Sequence, residues 1–464
     1  MSLFTHDFDS SLLREYDIRG IVGETLSDAD AFAIGRGFGA VVAGQGGGRV
    51  VVGFDGRPSS PGFADSLSRG LAESGIDAII IGVGPTPMLY FAVHELAADG
   101  GVMITGSHNP PRYNGFKMML GTKPFFGQQI ADLGRLAAAG LASAPTGRIE
   151  HADMEDRYLA RLLRDIETRF PIGEQNVAWD PGNGSAGRIV ERLVKRLPGR
   201  HLVINGEIDG TFPNHHPDPT RPETLAQLQA AVKDNGLDLG IAFDGDGDRI
   251  GAIDRHGRIV WGDQLLAILA RDVLADRPGA TIIADVKASQ VLFDEIGRMA
   301  GKPMMWRTGH SLIKTRMAET GAPLAGEMSG HIFFAHHYYG FDDAIYAALR
   351  LLAALHSAGH GLDCLYDRLP KMVNTPELRF DCAEERKFEV VRQVRDNVIA
   401  RGADVSDIDG VRVRRDGGWW LLRASNTQAV LVARCEAPDE AALAALKQEL
   451  ATELAACDIS PPDF

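Results

Sequence analysis

The chain has 464 residues, a net charge of −14, 45% hydrophobic and 24% charged residues, an ordinary globular balance for about three domains, within two to four. The acidic excess disfavours nucleic acid as a partner, because a phosphate backbone needs a basic face. Its longest apolar runs, such as residues 78–81, fall far short of the ~20 residues of a membrane span, and an N-terminus with Asp7 and Asp9 has no secretory core.

In chain order, residues 14–19 could start a surface helix. Residues 50–54 read as a strand, and Pro58-Ser-Ser-Pro61 opens a helix to about Gly75. Residues 78–83 and 102–105 are two further strands. The rhythm returns with a strand at 176–180, the loop Pro181-Gly-Asn-Gly-Ser185, a strand at 202–205, a helix near 222–235 and a strand at 239–243. A hairpin over 253–260, turning at Asp254-Arg-His-Gly257, precedes a third pass: helix 262–274, strand 281–284, then strands at 304–306 and 324–325. Strand–helix–strand order implies parallel or mixed sheets with right-handed crossovers. Pro370 to Pro376 reads as a linker. Beyond it, strands at 411–413, 419–422 and 429–435 and a helix from 439 to about 455 make an α+β tail. Four dispersed cysteines, Cys364, Cys382, Cys435 and Cys457, contain no Cys-x-x-Cys. They fit a reducing cytoplasm and predict neither a disulfide frame nor a thiolate zinc site.

Two loops carry chemistry. Thr105-Gly-Ser-His-Asn-Pro110 follows the apolar run 101–104 and offers the hydroxyl of Ser107. Asp244-Gly-Asp-Gly-Asp-Arg249 follows 239–243 and offers three carboxylates. A tight turn explains the first loop alone about equally well. A calcium loop explains the second poorly, because an EF-hand counted from Asp244 needs Gly and Glu where Arg249 and Arg255 stand. Clustered carboxylates repel unless a cation joins them, so Asp244, Asp246 and Asp248 point to a bound metal such as Mg²⁺. Hydroxyl plus metal is the equipment of phosphoryl transfer. A third strand ends in Gly326-Glu-Met-Ser-Gly-His331. In open α/β sheets ligands bind beyond the carboxyl ends of strands, so three such loops can line one cleft. Arg423-Ala-Ser-Asn-Thr427 has the donors to hold a phosphate, though a plain turn is the commoner reading. If Asn114-Gly115 makes a tight turn, Lys117 doubles back towards Ser107. There, Mg²⁺ and Arg249 would lower its pKa and make it a general base.

These motifs, in this order, with Glu15-Tyr-Asp-Ile-Arg-Gly20 and Thr308-Gly-His-Ser-Leu-Ile-Lys314, resemble the α-D-phosphohexomutase superfamily over essentially the whole chain. The branch most resembled is bacterial phosphomannomutase/phosphoglucomutase. The resemblance implies three tandem similar α/β domains with mixed sheets and a C-terminal α+β domain around a central cleft. Boundaries are expected at 1–153, 154–257, 258–368 and 369–464, with the phosphoserine, metal, sugar and phosphate loops in turn. It implies that Ser107 is a phosphoserine and that Mg²⁺ is held by Asp244, Asp246, Asp248 and an oxygen on Ser107. Arg249, His108 and Lys117 would surround the transferring group, and Lys117 and His331 would move protons. Glu327 and Ser329, in the loop with Met328 and Gly330, would read adjacent sugar hydroxyls. Arg423, Ala424, Ser425, Asn426 and Thr427 would grip the distal phosphate, with Tyr16, Arg19, Lys287, Thr308, Gly309 and His310. Together Arg19, Lys117, Arg249, Lys287 and Arg423 would form a local positive pocket within an acidic protein.

The implied reaction moves a phosphoryl group between C1 and C6 of mannose and glucose phosphates, with glucose 1,6-bisphosphate as activator and intermediate. The expected setting is a cytoplasmic monomer without nucleic-acid or membrane partners. A phosphoglucosamine mutase is the nearest alternative. A haloacid-dehalogenase-type phosphatase, with Asp244 as nucleophile, and a non-enzymatic sugar-phosphate sensor are the others.

Overall fold

The computed structural model describes residues 3–426 and 428–462. Four sheets follow one another along the chain. In the first, the apolar strands Arg49–Phe54, Asp77–Val83 and Gly100–Ile104 lie parallel, and Tyr113–Leu120 returns antiparallel beside Gly100–Ile104. The second sheet sets Leu239–Phe243 parallel to Val177–Asp180 and antiparallel to Ile250–Asp254. In the third, Leu324–Gly326 runs parallel to Thr281–Asp285 and antiparallel to Ile332–Phe334. The fourth is antiparallel throughout, with Gly418–Ala424 between Val411–Arg415 and Val430–Ala437. Three α/β units and an α+β tail result.

The three α/β units therefore share one device. A buried parallel strand ends, a polar loop follows, and the chain returns on the antiparallel neighbour. The loops are residues 105–112, 244–249 and 327–331. The tail repeats the device between Gly418–Ala424 and Val430–Ala437. Each loop thus sits at a carboxyl strand end with both shoulders fixed by ladder hydrogen bonds.

One continuous apolar core joins the first three units. It gathers Leu89 and Phe91, Tyr158 and Leu162, Leu266 and Leu269, and nearly every residue of the helix Ala344–Ala358. The tail has its own core around Val394, Trp420, Leu431 and Leu450. Its apolar link to the rest is small: Trp419 and Leu421 against Val286, with Met305 beside them.

Two expectations need correction. Residues 14–19 do not start a helix; Ile18–Ile21 is a strand paired with Tyr113–Phe116. Asn114-Gly115 is not a turn but lies inside the strand Tyr113–Leu120. Glycine is needed there for close approach, since a Cβ at Gly115 would stand 2.3 Å from the Ile18 carbonyl oxygen. The reversal happens in residues 105–112 instead. The hairpin expected over 253–260 forms, its second strand Ile259–Val260 pairing with Ile250–Asp254.

Candidate active site

The Ser107 loop is stiff. Ser107 is buried with φ +48°, a left-handed conformation that costs a non-glycine residue about 1 kcal/mol or more. Its amide donates to Thr105 Oγ1 at 2.8 Å, and its own Oγ donates to Asp244 Oδ2 at 2.9 Å. His108 Nδ1 lies 3.2 Å from the same Oγ. Burial, aided by Arg249, holds the His108 imidazole well below its usual range.

Asp244, Asp246 and Asp248 are fully buried and converge, with one carboxylate oxygen from each lying within 4.8 Å of the others. Gly245 permits this turn, because a Cβ there would meet the Ser107 carbonyl oxygen at 2.4 Å. Asp244 Oδ1 accepts the amides of Asp248 and Arg249, both at 3.1 Å. Thr86 Oγ1 donates to Asp246 Oδ2 at 2.5 Å, and Lys117 Nζ donates to Asp246 at 2.7 Å and Asp248 at 2.6 Å. Asp246 Oδ1 and Asp248 Oδ1 have no protein partner although both are buried. Two orphaned carboxylate oxygens inside a protein are costly. Burial first, then Asp248 and Asp246, push the Asp244 carboxyl up to about 7. The donor set, hard oxygens from three carboxylates, fits Mg²⁺.

Lys117 sits among the carboxylates expected to hold the metal, and these set its proton affinity here. Burial pulls the ammonium down, but Asp246 and Asp248 outweigh it and hold it well above the usual lysine range. Each of the cations expected to form the positive pocket has an acidic partner. Arg19 pairs with Asp17, Arg249 with Asp244 and Asp218, Lys287 with Glu377, and Arg423 with Asp409. Only Arg249 Nη2 and Arg19 Nε, among these, are buried donors left without a partner.

The sugar loop is stitched to the metal loop. The amide of Ile250 donates to Gly330 O at 3.0 Å, and Arg249 bridges His331. His331 Nδ1 is 3.0 Å from Asp342 Oδ2 and 3.7 Å from Asp248 Oδ1. Burial lowers its pKa, but Asp248 and Asp342 prevail and raise it. His310 stacks on His331 with ring centroids 5.5 Å apart. Glu327 is buried and accepts the Gly309 amide at 2.7 Å. Met328 donates its amide to Asp285 at 3.0 Å, and Ser329 is half-buried beside it.

Tyr16 joins three units. Its hydroxyl donates to Thr308 O at 3.0 Å and accepts from Asn426 Nδ2 at 2.9 Å. Arg19 donates to Asn109 of the serine loop at 2.7 Å. Asp409 accepts both Arg423 Nε at 3.1 Å and the Thr308 amide at 3.0 Å. Ala424 and Ser425 are buried; Thr427 lies outside the described residues. Tyr16, Lys117, His310 and Lys314 line one cleft of about 970 Å³ between the first and third units.

Sequence reading missed Asp55, Arg57, Thr86, Asp218, Lys314, Asp342 and Asp409. Asp55-Gly-Arg57 had a usable signal, an acid and a base on a glycine turn straight after a strand. Asp342 had none, since only the fold brings it to His331.

Four adjoining stretches match the four parts of one family. Residues 10–133, 156–257 and 261–373 match phosphoglucomutase/phosphomannomutase alpha/beta/alpha domains I, II and III, and residues 377–453 match its C-terminal domain. The chain belongs to the phosphoglucomutase/phosphomannomutase family. It is a phosphotransferring mutase of the α-D-phosphohexomutase superfamily, an isomerase of carbohydrate metabolism. A phosphomannomutase/phosphoglucomutase of Pseudomonas putida is 44% identical over 96% of this chain and 95% of that one. A phosphoglucomutase of Neisseria gonorrhoeae is 42% identical over 93% and 94%. The crystal structure of a family protein from Burkholderia thailandensis superposes with a TM-score of 0.92 at 40% identity, over 98% and 100% of the two chains. Membership removes the phosphatase reading. No described helix is long and apolar enough to cross a membrane.

Proposed function

We propose that this mutase interconverts the 1- and 6-phosphates of mannose and glucose through a phosphoserine at Ser107 and a hexose 1,6-bisphosphate. The observation that carries this reading is the 2.9 Å hydrogen bond from Ser107 Oγ to Asp244, inside a buried trio of carboxylates. Each step is a balanced exchange. The sugar's free hydroxyl oxygen bonds to phosphorus as the Ser107 Oγ–P bond breaks; the hydroxyl proton leaves to a base and Ser107 Oγ takes a proton. The bisphosphate then turns over, and its other phosphoryl group returns to Ser107 by the same exchange reversed.

Asp244, Asp246, Asp248 and Ser107 would hold Mg²⁺, which supplies charge neutralisation at the transferring oxygens. Lys117 and Arg249 place fixed positive charge on the same side. His331, backed by Asp342, is suited to move the sugar proton. Glu327 and Ser329 would read hydroxyls common to both binding directions. Tyr16, Arg19, Lys287, Thr308, Gly309, His310 and the 423–427 loop would hold the distal phosphate. All four loops come from one chain, so a monomer suffices, and a cytoplasmic setting fits the use of phosphorylated sugars. The test is conversion of mannose 1-phosphate, glucose 1-phosphate and glucosamine 1-phosphate, with and without glucose 1,6-bisphosphate. Stimulation by the bisphosphate with the first two substrates is expected. Conversion of glucosamine 1-phosphate alone would overturn the substrate assignment.

A further inference from the structure

Beneath the Ser107 loop lies a guanidinium that this reaction scheme does not use. Arg57 follows the strand Arg49–Phe54 and is 1% exposed. A guanidinium has five N–H donors, and all five are engaged. Nε donates to Asp55 Oδ2 at 3.0 Å. Nη1 donates to the carbonyls of Pro110 at 2.8 Å and Tyr113 at 3.0 Å. Nη2 donates to the carbonyls of Ser107 at 2.8 Å and Asn109 at 2.7 Å. Four of the five bonds therefore end on one segment, residues 107–113. Asp55 completes the hold, accepting from Thr105 Oγ1 at 2.8 Å and the Gly106 amide at 3.2 Å. Gly106 leaves room for the guanidinium; a Cβ there would stand 2.5 Å from Arg57 Cζ. The second unit closes the pocket, with Phe212 stacked 5.1 Å from Arg57 Cζ and the Gly210 amide donating to Gly56 O at 3.2 Å.

We propose that Arg57 is a positioning residue for phosphoryl transfer, a strap that holds the Ser107 carbonyl and so aims Oγ at the metal loop. The inference rests on Ser107 being the phosphoryl carrier. Ser107 is kept at a positive φ that an unsupported serine leaves readily. The carrier must also gain and lose about two negative charges in each cycle. A loop free to relax would follow that charge, whereas one pinned at four carbonyls and at its Thr105 and Gly106 donors cannot. The guanidinium's hydrogen bonds go only to carbonyl oxygens and Asp55, so its action on the reaction runs through the loop backbone.

The test compares full-length Arg57→Ala and Arg57→Lys with wild type, all with Mg²⁺ and glucose 1,6-bisphosphate. It measures kcat and KM for mannose 1-phosphate, the phosphate on Ser107 by mass, and hydrogen exchange over 105–113 and 430–437. In Arg57→Ala, kcat is expected to fall about 100-fold, the scale of a ~1 Å misplacement, with KM within about threefold. Exchange should quicken over 105–113 and stay unchanged over 430–437, and added methylguanidinium should restore part of kcat. Arg57→Lys, whose single ammonium cannot span both carbonyl pairs, should also lose kcat; it decides the matter if the alanine variant does not fold. Wild-type kcat in the lysine variant would overturn the strap. So would a kcat loss in the alanine variant that methylguanidinium leaves untouched while exchange over 105–113 stays at the wild-type rate. Absence of phosphate from Ser107 in active wild-type enzyme would overturn the phosphoserine reading and the strap with it. Phosphate on wild-type Ser107 with unaffected Arg57 variants would overturn the strap alone.

Discussion

The loops of Ser107 and of the three aspartates and the loop that follows Arg423 are all strand-end loops, yet they are held very differently. Ser107 and the three aspartates sit between units that share one continuous core, and partners from both units lock them: Thr86, Lys117, Arg57 and Arg249. The loop from Arg423 belongs to a tail with its own core and a small apolar link to the rest. The described ties of this tail to the other units are mostly polar: Asn426 to Tyr16, Asp409 to Thr308, Glu377 to Lys287, Glu436 to the Gln290 amide, and the buried Arg412 to the carbonyls of Val286 and Ala288. The difference teaches a division of labour. Bond making needs atoms placed to a fraction of an ångström, so the centre is fused. Substrate must enter and leave, and a body with a core of its own, joined to the rest mainly by polar contacts, is suited to allow that.

The harshest way to break this comparison is to remove the carrier. Ser107→Ala is expected to lose activity on the order of 10³-fold or more, the fate of enzymes stripped of a nucleophile. Intact mass should show one phosphate on wild type and none on the variant. A fully active Ser107→Ala enzyme would mean that the buried centre is not where transfer occurs.

Metal removal should come next. Asp246→Asn takes one charge from a hard-cation site whose carboxylates converge in a buried trio. It should weaken Mg²⁺ binding by more than about tenfold and slow turnover, without changing the grip on the distal phosphate. Titration calorimetry with Mg²⁺ and the rate of chelator-treated enzyme check this. Full rate without any divalent cation contradicts the assignment.

Arg423→Ala probes the looser region. Losing a charge-assisted phosphate contact costs about 1.5–3 kcal/mol, so apparent affinity should fall by one to two decades on that scale. Bisphosphate should escape more often during turnover, while Ser107 phosphorylation persists. If affinity and bisphosphate release both match wild type, the tail loop is not the grip.

The smallest effect separates the two cores. Asp343 caps the helix Ala344–Ala358 within the shared core, where Tyr346 N, Tyr158 Oη and Tyr338 Oη donate to it. Burial pushes its carboxyl up to about 6. A raised folded-state pKa means the protonated form is favoured, so this stabilisation is present below about pH 4 and is lost as pH rises through 6. Asp343→Asn should therefore be more stable than wild type at pH 8, by up to about 3 kcal/mol, with the gap closing at pH 4. Calorimetry should show the change in the transition of the fused units and none in that of the tail. Parallel pH profiles for variant and wild type would show that Asp343 titrates normally.

Much of this molecule was legible before folding was considered, and for local reasons. Residues 239–243 are apolar and flanked by turn formers, so strand and loop could be read together. The alternation Asp244, Asp246, Asp248 on glycine hinges implied convergence and a cation by electrostatics alone. The helix Ala344–Ala358 was not legible. It is buried nearly all round, so it shows no amphipathic stripe.

The amino-acid sequence by itself determined the strand-end loops, their order, the family they belong to and the chemistry of Ser107 with its carboxylates. Those properties depend on residue type and short spacing. Tertiary structure alone decided that Lys117 faces Asp246 and Asp248, and that Asp342 stands behind His331. Tertiary structure alone also decided that each phosphate-facing cation has an acid beside it, and that Arg57 straps the serine loop. These are contacts between residues tens to hundreds of positions apart. Their energies depend on burial and distance, which no local pattern encodes.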